Sequence, residues 1–310
     1  MSSSTGVKPG FAAQGFSWEN YIRYRPAYPA SFWSRIYKYH ESHNGKFDVA
    51  HDVGAGAGIA SQDLAKRFEK VIVSDPNDNY VNIASERLVS QFGHSAAKFN
   101  FLQEGGEKSS VGSASVDLIV VCEAIHWMNL EAVMVEFARQ IKPGGSLAIS
   151  HYGRPIMIDN PAAQSAWDKL FDIWTDRNLN RDMLHNQCLR KSISGLDTVP
   201  FSPEHWEEGV QRIWINSRGD SDSFQMSVRH AKPFASKVGD GDVKSLIEDD
   251  EDWIEQRNVQ WLKGMFASFI PSIPEEELQD LWDEMDIAVG KGKDVKVAWP
   301  VVQLLATKRR

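Results

Sequence analysis

The sequence lacks an excess of basic residues, and this excludes one broad class of partner. Its 42 acidic side chains outnumber its 34 basic ones, which gives a net charge of −8 and an isoelectric point near 5.6. Proteins bind nucleic-acid backbones through clustered lysine and arginine. No run of this chain offers such a cluster, so we expect no nucleic-acid partner.

Cysteine and long apolar runs are also scarce. The two cysteines, Cys122 and Cys188, cannot build a disulfide framework, and neither lies in a CxxC or metal-ligand spacing. No uninterrupted apolar stretch approaches the roughly 18 residues of a membrane span. The N-terminal segment Met1–Gly6 is small and polar, without the apolar core of a signal peptide. These absences predict a cytoplasmic protein with no membrane contact and no bound metal.

What is present is the composition of an ordinary globular protein, with 310 residues of which 42% are hydrophobic and 25% charged. This length allows one α/β domain with insertions, or a domain with a cap. The 11 tryptophans predict mainly core and cap packing, with some in a pocket for a small organic ligand. The oligomeric state is left open, with a monomer favoured.

In the first half of the chain, short apolar runs alternate with amphipathic stretches. Continuous apolar strands between helices indicate a parallel sheet that is covered on both sides, as in doubly wound α/β folds. The predicted strands are Phe47–Val53, Val71–Val73, Lys98–Gln103, Val116–Cys122 and Ser146–His151. The predicted helices are Ile59–Phe68, Tyr80–Phe92 and Leu130–Ile141, and Lys142–Gly145 stops the last of them.

The pattern changes after His151, and this sets the predicted domain boundaries. Residues 153–208 are interpreted as a helical cap insertion over the ligand site, with a separate small domain as the alternative. Two further strands, Val210–Asn216 and Val295–Thr307, are separated by a largely helical stretch at 222–270, and Pro300 predicts an edge, a bulge or a bend. The resulting division is a flexible N-terminus at 1–15, a core at 16–152, the cap at 153–208 and a C-terminal part of the core at 209–310.

The strongest local motif is Asp52–Gly58, DVGAGAG, which follows a strand and opens a helix. Glycines let the backbone approach a ligand closely, and a helix N-terminus offers free N–H groups. A dinucleotide fingerprint would need a small third residue where Ile59 stands. Asp52 would repel a pyrophosphate but would accept a hydrogen bond from the amino group of S-adenosylmethionine (SAM). The motif therefore favours SAM over a dinucleotide, although Asp52 could instead orient the loop.

Further candidate residues follow the next strands. Asp75 ends the second strand, 21 residues after Gly54, where a carboxylate can accept both hydroxyls of a ribose in NAD or SAM, or can simply cap a turn. Pro76 could rest against an adenine. The loop Gln103–Glu107 is expected near the adenine edge, with Glu107 or a backbone group binding the adenine amine; a solvated loop is the alternative.

The fourth strand ends in Cys122–Trp127, CEAIHW. Because strand carboxyl ends face the ligand crevice in such sheets, His126 and Trp127 are expected to contact cofactor or substrate, or else to pack structurally.

Taken together, DVGAGAG, VIVSDP, SVDLIVVCEAIHW and IKPGGSLAI resemble the class I SAM-dependent methyltransferases. Within that superfamily the leader YIRYRPAYP at 21–29 and CEAIHWM at 122–128 resemble the fungal members of the trans-aconitate methyltransferase-like group. The resemblance covers about residues 16–151, and it continues more weakly along the rest of the chain through the last strand. It implies a Rossmann-like, doubly wound seven-stranded sheet whose last strand is antiparallel. It also implies SAM as methyl donor, with S-adenosylhomocysteine as product, and a leader around Tyr21 and Arg25 that folds over the cofactor.

These considerations give three sets of candidate residues. The predicted cofactor-binding residues are Tyr21, Arg25, Asp52, Gly54, Ala55, Gly56, Asp75, Pro76, Asn77, Gly106, Glu107, Glu123 and Ala124. The predicted substrate-binding residues are Arg23, Trp127, Tyr152 and Arg154, and the predicted catalytic residues are His126 and His151. Alanine at 55 and 57, where many relatives carry Cys and Pro, should be tolerated in the turn.

The candidate residues support two kinds of O-methylation. A carboxylate acceptor is already ionised, so it needs only cations to orient it, and Arg23, Arg25, Arg154 and His151 are candidates. A hydroxyl acceptor is helped by a base, which would be His126 or His151. The predicted function is methylation of a small molecule, a carboxylic acid or a secondary metabolite. The alternatives are a thiol or amine acceptor, a nicotinamide-dependent dehydrogenase, and a non-catalytic SAM-binding module that serves a partner protein.

Overall fold

The computed structural model describes residues 17–179, 183–227, 233–270 and 272–310. The N-terminal segment 1–15, which was predicted as flexible, lies outside the described residues. The strands are β1 Val49–Val53, β2 Lys70–Ser74, β3 Phe99–Leu102, β4 Val116–Cys122, β5 Ile141–Tyr152, β6 Ile156–Met157, β7 Gln211–Ile215, β8 Val243–Ile247, β9 Ile254–Asn258, β10 Asp294–Ala298 and β11 Val301–Thr307.

The helices lie between and after these strands. They are α1 Trp18–Tyr24, α2 Ala30–Ser42, α3 Ile59–Leu64, α4 Asp78–Ser85, α5 Leu130–Gln140, α6 Pro161–Leu179, α7 Met183–Ser192, α8 Val259–Ala267 and α9 Gln279–Val289. A π-helical turn, Glu86–Gln91, continues α4. Several helices begin where an asparagine side chain accepts a backbone N–H, as Asn129 does from Ala132 at 3.1 Å before α5.

Eight strands form the main sheet in the spatial order β3-β2-β1-β4-β5-β11-β7-β8. Strands β1 to β5 pair in parallel, and β11 runs antiparallel to both β5 and β7. The predicted doubly wound order and antiparallel last strand are thus confirmed. The sheet has one strand more than expected, because β8 adds in parallel to the outer edge of β7.

The sheet is covered on both faces, as the apolar strands predict. Along β4, Leu118 and Val120 belong to one buried cluster, whereas Ile119 and Val121 belong to another. Successive side chains of a strand point to opposite faces, so a strand that is apolar at every position needs packing on both sides. Burial of β4 therefore holds the centre of the sheet and places its carboxyl end, at Cys122, in the ligand crevice.

The C-terminal third differs most from the sequence-based expectation. The stretch 222–270, expected to be largely helical, contains the two strands β8 and β9 and one longer helix, α8. Strand β9 pairs with β10 in a second sheet of order β6-β10-β9. These short strands owe their conformation to partners far along the chain, and periodicity within the stretch does not reveal such partners.

Pro300 divides the stretch that was expected to form a single last strand. Strand β10 ends at Ala298 and lies in the small sheet, and β11 begins at Val301 and lies in the main sheet. The proline has no N–H for a ladder, so the chain changes sheet there, as the predicted bend suggested.

The region predicted as a cap does carry two helices, α6 and α7, which pack on each other and on neighbouring elements. Within α6, the buried rings of Trp167 and Phe171 contact Phe266 of α8, and Trp167 also contacts Trp282 of α9. None of the described helices combines the length and apolarity needed to cross a membrane.

Candidate active site

A cavity of about 540 Å³ lies at the carboxyl ends of β1, β2, β3 and β4. This is the position where doubly wound sheets bind their ligands. Its lining includes Trp18, Tyr21, Tyr28, Asp52, Gly54, Ala55, Gly56, Asp75, Pro76, Asn77, Tyr80, Gln103, Gly106, Glu107, Cys122, Glu123, Ala124, Trp127 and Met128. Every residue predicted to bind the cofactor is in this set, except Arg25.

The glycine turn after β1 needs its glycines for two reasons. Gly54 and Gly56 have φ angles of 69° and 53°, in the left-handed region that other residues rarely adopt. A Cβ at Gly54 would lie 2.5 Å from the Cβ of Ala124, and one at Gly56 would lie 2.8 Å from the Trp18 ring. The backbone of this turn therefore forms a wall of the cavity that no larger residue could form without displacing its neighbours.

Asp52 lies at the base of this turn and is almost fully buried. Its Oδ2 accepts a hydrogen bond from the Ser61 hydroxyl at 2.5 Å, which ties β1 to the first turn of α3. Burial raises the pKa of the Asp52 carboxyl to about 7, against a smaller lowering by the hydrogen bonds from Ser61. Asp52 both orients the turn and lines the cavity, so the two roles considered for it are compatible.

Asp75 joins two loops of the cavity. Its Oδ2 accepts the Gly56 N–H at 3.0 Å, and its Oδ1 accepts the Asn77 N–H at 2.9 Å. Burial raises the pKa of its carboxyl to about 6, even though both hydrogen bonds lower it. Each carboxylate oxygen has a further lone pair, so both can still accept a ribose hydroxyl.

The opposite side of the cavity is built from the loop after β3 and the turn after β4. Oε1 of Glu107 accepts the backbone N–H of Asn129 at 2.8 Å. In the same region, Lys191 of α7 donates through Nζ to the carbonyl of Met128 at 2.6 Å. These contacts hold the loop where an adenine was expected and connect the turn after β4 to α7.

The first described helix, α1, closes the cavity from outside. None of its residues is fully buried, yet Trp18 and Tyr21 both line the cavity. The Trp18 ring packs edge-on against Tyr80, with ring centroids 4.4 Å apart. The leader thus lies over the ligand site, as the resemblance implied.

A second, smaller cavity of about 90 Å³ adjoins the first, and the two share Tyr21, Glu123 and Trp127. Its lining is mainly aromatic and aliphatic, with a few polar groups. The other lining residues are Arg25, His126, His151, Tyr152, Gly153, Trp174, Cys188, Leu189, Ser192, Met226, Phe269 and Ile270. Such a lining suits a small organic molecule with one or two polar groups.

Glu123 and His151 stand where the two cavities meet. Oε2 of Glu123 lies 3.0 Å from Nδ1 of His151, although the ring is turned out of good hydrogen-bond alignment. Oε1 of Glu123 accepts the Tyr152 N–H at 2.5 Å. Glu123 holds this position with a left-handed φ of 56°, a conformation that costs energy for a residue with a side chain and that clusters at functional sites.

His126 lies beside His151, with ring centroids 5.1 Å apart. Burial lowers the pKa of His126 well below its usual value, and the neighbouring His151 and Lys191 lower it further. Its Nδ1 is buried and has no hydrogen-bond partner among the described residues. His126 is therefore a neutral ring at neutral pH, next to the Glu123–His151 pair.

The structure separates the predicted substrate-binding residues. Trp127 and Tyr152 line the smaller cavity, but Arg23 and Arg154 line neither cavity. Arg23 is exposed on α1, and Arg154 pairs with Asp168 at 2.5 Å. Arg25, expected to bind the cofactor, lines only the smaller cavity. The helical turn from Arg23 to Arg25 points the two side chains in different directions, which spacing alone does not reveal.

Several lining residues were not predicted. Tyr28 belongs to the leader at 21–29, Trp18 lies three residues before it, and Met128 follows the His-Trp segment, so their proximity to these motifs was a usable signal. Cys188, Leu189 and Phe269 lie in regions that match no motif. Only the packing of α7 and the end of α8 onto the site brings them there.

The strand order, the glycine turn and the two buried aspartates define a class I methyltransferase. The cavity is compatible with SAM, because the glycine turn lets a ligand approach the backbone closely and the lining includes the carboxylates of Asp52 and Asp75, which can accept hydrogen bonds.

Comparison with known proteins supports this class. Residues 51–149 match the family model of a methyltransferase domain. The chain is 30% identical to methyltransferase ptaI of Pestalotiopsis fici, over 94% of this chain and 93% of that protein. It is also 30% identical to methyltransferase cfoB of Aspergillus candidus, over 99% of this chain and 100% of that protein. The chain therefore belongs to the SAM-dependent methyltransferases, and SAM is its methyl donor.

A solved structure supports the fold alone. A candidate type II methyltransferase from Anaeromyxobacter dehalogenans is 20% identical and superposes with a TM-score of 0.59, covering 91% of this chain and 97% of that one.

Proposed function

We propose that this methyltransferase transfers a methyl group to an oxygen of a small organic molecule, a secondary metabolite, and that the smaller cavity receives this acceptor. The observation that carries the proposal is the Glu123–His151 pair at the junction of the two cavities. A histidine base with a carboxylate beside it is an arrangement that can remove a proton from a hydroxyl.

The larger cavity offers a separate contact for each part of SAM. We assign the ribose hydroxyls to Asp75, the amino acid portion to the turn at Asp52–Gly56, and the adenine to the loop at Gly106–Glu107. Bound there, SAM supplies an electrophilic methyl carbon attached to a positively charged sulfur. An acceptor in the smaller cavity lies next to the larger one, because Tyr21, Glu123 and Trp127 belong to both linings.

His151 takes the proton in this scheme. As the acceptor oxygen bonds to the methyl carbon and the carbon–sulfur bond breaks, the hydroxyl proton passes to Nε2 of His151. That atom is buried and without a hydrogen-bond partner among the described residues. The adjacent Glu123 carboxylate stabilises the imidazolium that forms, and water later removes the proton. A positioned base of this kind contributes about 10²- to 10⁴-fold to a rate.

The lining of the smaller cavity supports an apolar acceptor with few polar groups. Trp127, Trp174 and Phe269 provide flat surfaces that exclude water and hold the acceptor oxygen near the methyl group. This shape supports a compact ring compound better than a polypeptide. Membership in the trans-aconitate methyltransferase-like group is a further part of this proposal, resting on the leader and on the CEAIHWM segment.

Two measurements test the proposal. Calorimetric titration with SAM, with NAD and NADP as controls, should give micromolar binding of SAM alone. Transfer of a radiolabelled methyl group from SAM to a panel of phenols, carboxylic acids, thiols and amines should then label oxygen compounds. Labelling confined to thiols or amines would replace O-methylation with S- or N-methylation. Binding of SAM without transfer to any compound would favour a non-catalytic SAM-binding protein.

A further inference from the structure

Arg25 lines the smaller cavity, and no carboxylate of the described part of the chain forms an ion pair with it. Its guanidinium carbon lies 3.8 Å from the centroid of the Phe269 ring and 5.0 Å from that of Tyr21. One of its terminal nitrogens donates to the carbonyl of Ser268 at 3.3 Å, whereas its Nε is buried without a partner. Among the described residues it forms no ion pair, so part of its hydrogen-bonding capacity is unused.

Several other arginines with buried or half-buried side chains are paired with a carboxylate. The pairs are Arg35 with Asp250, Arg154 with Asp168 and Arg212 with Asp242. Withdrawing a cation from water is costly unless an anion compensates for the lost hydration. Arg87, which is half-buried, also has no carboxylate partner among the described residues, but its Nη1 donates to the carbonyl of Ala57 at 2.6 Å. Arg25 differs because it lines a cavity where a ligand can supply the anion.

We infer that Arg25 binds a carboxylate of the methyl acceptor. This inference rests on the proposed function, since it takes the smaller cavity as the acceptor site. The planar guanidinium presents its donors as a fork that matches the two oxygens of a carboxylate, and the flanking rings of Phe269 and Tyr21 hold that plane in place.

The bound carboxylate is an anchor and not the group that is methylated. Both of its oxygens are engaged by the arginine, which reduces their nucleophilicity. The methylated oxygen is then a second group of the same molecule, a hydroxyl that faces the Glu123–His151 pair on the same cavity. A small hydroxy carboxylic acid fits both Arg25 and the Glu123–His151 pair. Its hydroxyl is methylated, and its carboxylate stays free in the product.

SAM also carries a carboxylate, and the structure favours the acceptor as the source. Arg25 lines the smaller cavity and is not among the residues that line the larger one. The two sources predict different behaviour of an Arg25 variant. Loss of an acceptor contact leaves cofactor affinity unchanged, whereas loss of a contact to the methionine portion of SAM weakens it.

The test uses the full chain loaded with S-adenosylhomocysteine and two probes of nearly equal shape, benzoate and benzamide. We expect calorimetry to give at least tenfold tighter binding of benzoate by the wild-type protein. Arg25→Met should abolish that preference, and Arg25→Lys should retain part of it, because the charge remains but the fork is lost. The matched control is Arg23→Met, which removes an exposed arginine of the same leader and should keep the preference.

Two results would overturn the inference. One is equal binding of benzoate and benzamide by the wild-type protein. The other is a tenfold loss of S-adenosylhomocysteine affinity in Arg25→Met with unchanged affinity for 5′-methylthioadenosine, which would assign Arg25 to the cofactor carboxylate. Circular dichroism verifies folding, and Arg25→Lys carries the test if the methionine variant does not fold. Methyl transfer is measured separately, so benzoate selectivity without transfer would count against the proposed function alone.

Discussion

Nδ1 of His151 lies 3.0 Å from Oε2 of Glu123, at the boundary between the cofactor cavity and the smaller cavity beside it. The two residues come from the ends of neighbouring strands, β4 and β5. Glu123 is held there by the Tyr152 N–H and by its left-handed backbone. The sheet therefore brings the two side chains together and holds Glu123 in place before any ligand binds.

Replacing His151 tests whether this pair removes a proton. With a hydroxyl acceptor, His151→Ala should lower kcat about 10²- to 10⁴-fold, because among the described residues no other histidine of the smaller cavity lies next to a carboxylate. SAM affinity should not change, since His151 does not line the larger cavity. The measurements are steady-state methyl transfer and calorimetry. Glu123→Gln, which can still accept the Tyr152 N–H, should lower kcat less. Full activity in His151→Ala would remove this residue from the mechanism.

Asp75 should dominate the affinity for the cofactor. We expect Asp75→Ala to weaken SAM binding tenfold or more, because two charge-assisted hydrogen bonds to the ribose are lost. The structure adds a second cause, since the carboxylate also holds the Gly56 and Asn77 N–H groups. Calorimetric titration with SAM measures the loss. The exposed Asp240→Ala is a suitable control. An unchanged dissociation constant for Asp75→Ala would refute the ribose assignment.

The buried carboxyl of Asp52 should make the stability of the ligand-free protein depend on pH. Its pKa is raised by burial from 3.8 to about 7 in the folded protein. Folding therefore favours the protonated form of Asp52. Its stabilising contribution to the free energy of unfolding is complete below a pH of about 4 and is lost as the pH rises through about 7. The thermal midpoint of the free protein should fall between pH 5 and pH 8.

Asp52→Asn provides the comparison, because an amide oxygen can still accept the Ser61 hydroxyl but does not titrate. Its thermal midpoint should change less over the same pH range. A residual dependence should remain below pH of about 6, since the pKa of Asp75 is also raised by burial, to about 6. Identical pH profiles for the wild-type protein and Asp52→Asn would contradict the assignment of the titration to Asp52.

Gly56 should tolerate no side chain. Gly56→Ala places a Cβ 2.8 Å from the Trp18 ring and imposes a left-handed backbone on alanine. Gly93→Ala is a matched control, because its φ of 70° is similar but its Cβ meets nothing within 4 Å. Both should lose about 1–2 kcal/mol of stability in urea unfolding from backbone strain. Only Gly56→Ala should also weaken SAM binding, and an equal loss of affinity in both would contradict a steric role of Trp18.

The core of the fold was predictable because its signals are local. The strands β1, β2 and β4 are short apolar runs between helices, and the glycine turn at Gly54–Gly56 follows directly from its sequence. Such runs can be buried only between two layers, so a parallel sheet was the expected arrangement. The same reasoning predicted that ligand-binding groups would lie at strand carboxyl ends, and Asp75 and Glu123 do line the cavity.

The acceptor site was less predictable because its residues come from distant parts of the chain. Arg25 and Arg23 are two residues apart, yet only Arg25 lines a cavity, since α1 packs on α8 with one side. Arg154 looked equally suitable from the sequence, but its charge is paired with Asp168. The sequence showed that these residues are cations, but it did not show where each arginine side chain points or which carboxylate it pairs with.

By itself, the sequence determined the parallel strands β1 to β5, the glycine turn and the cofactor, because backbone conformation and apolar burial there depend on neighbouring residues. The tertiary structure decided the shape of the acceptor cavity, the strands within 222–270 and the separation of β10 from β11. Those features depend on long-range pairing and on the packing of α1, α7 and α8 around one site. Such packing is set by the free energy of the whole fold, so the sequence of one segment does not reveal it.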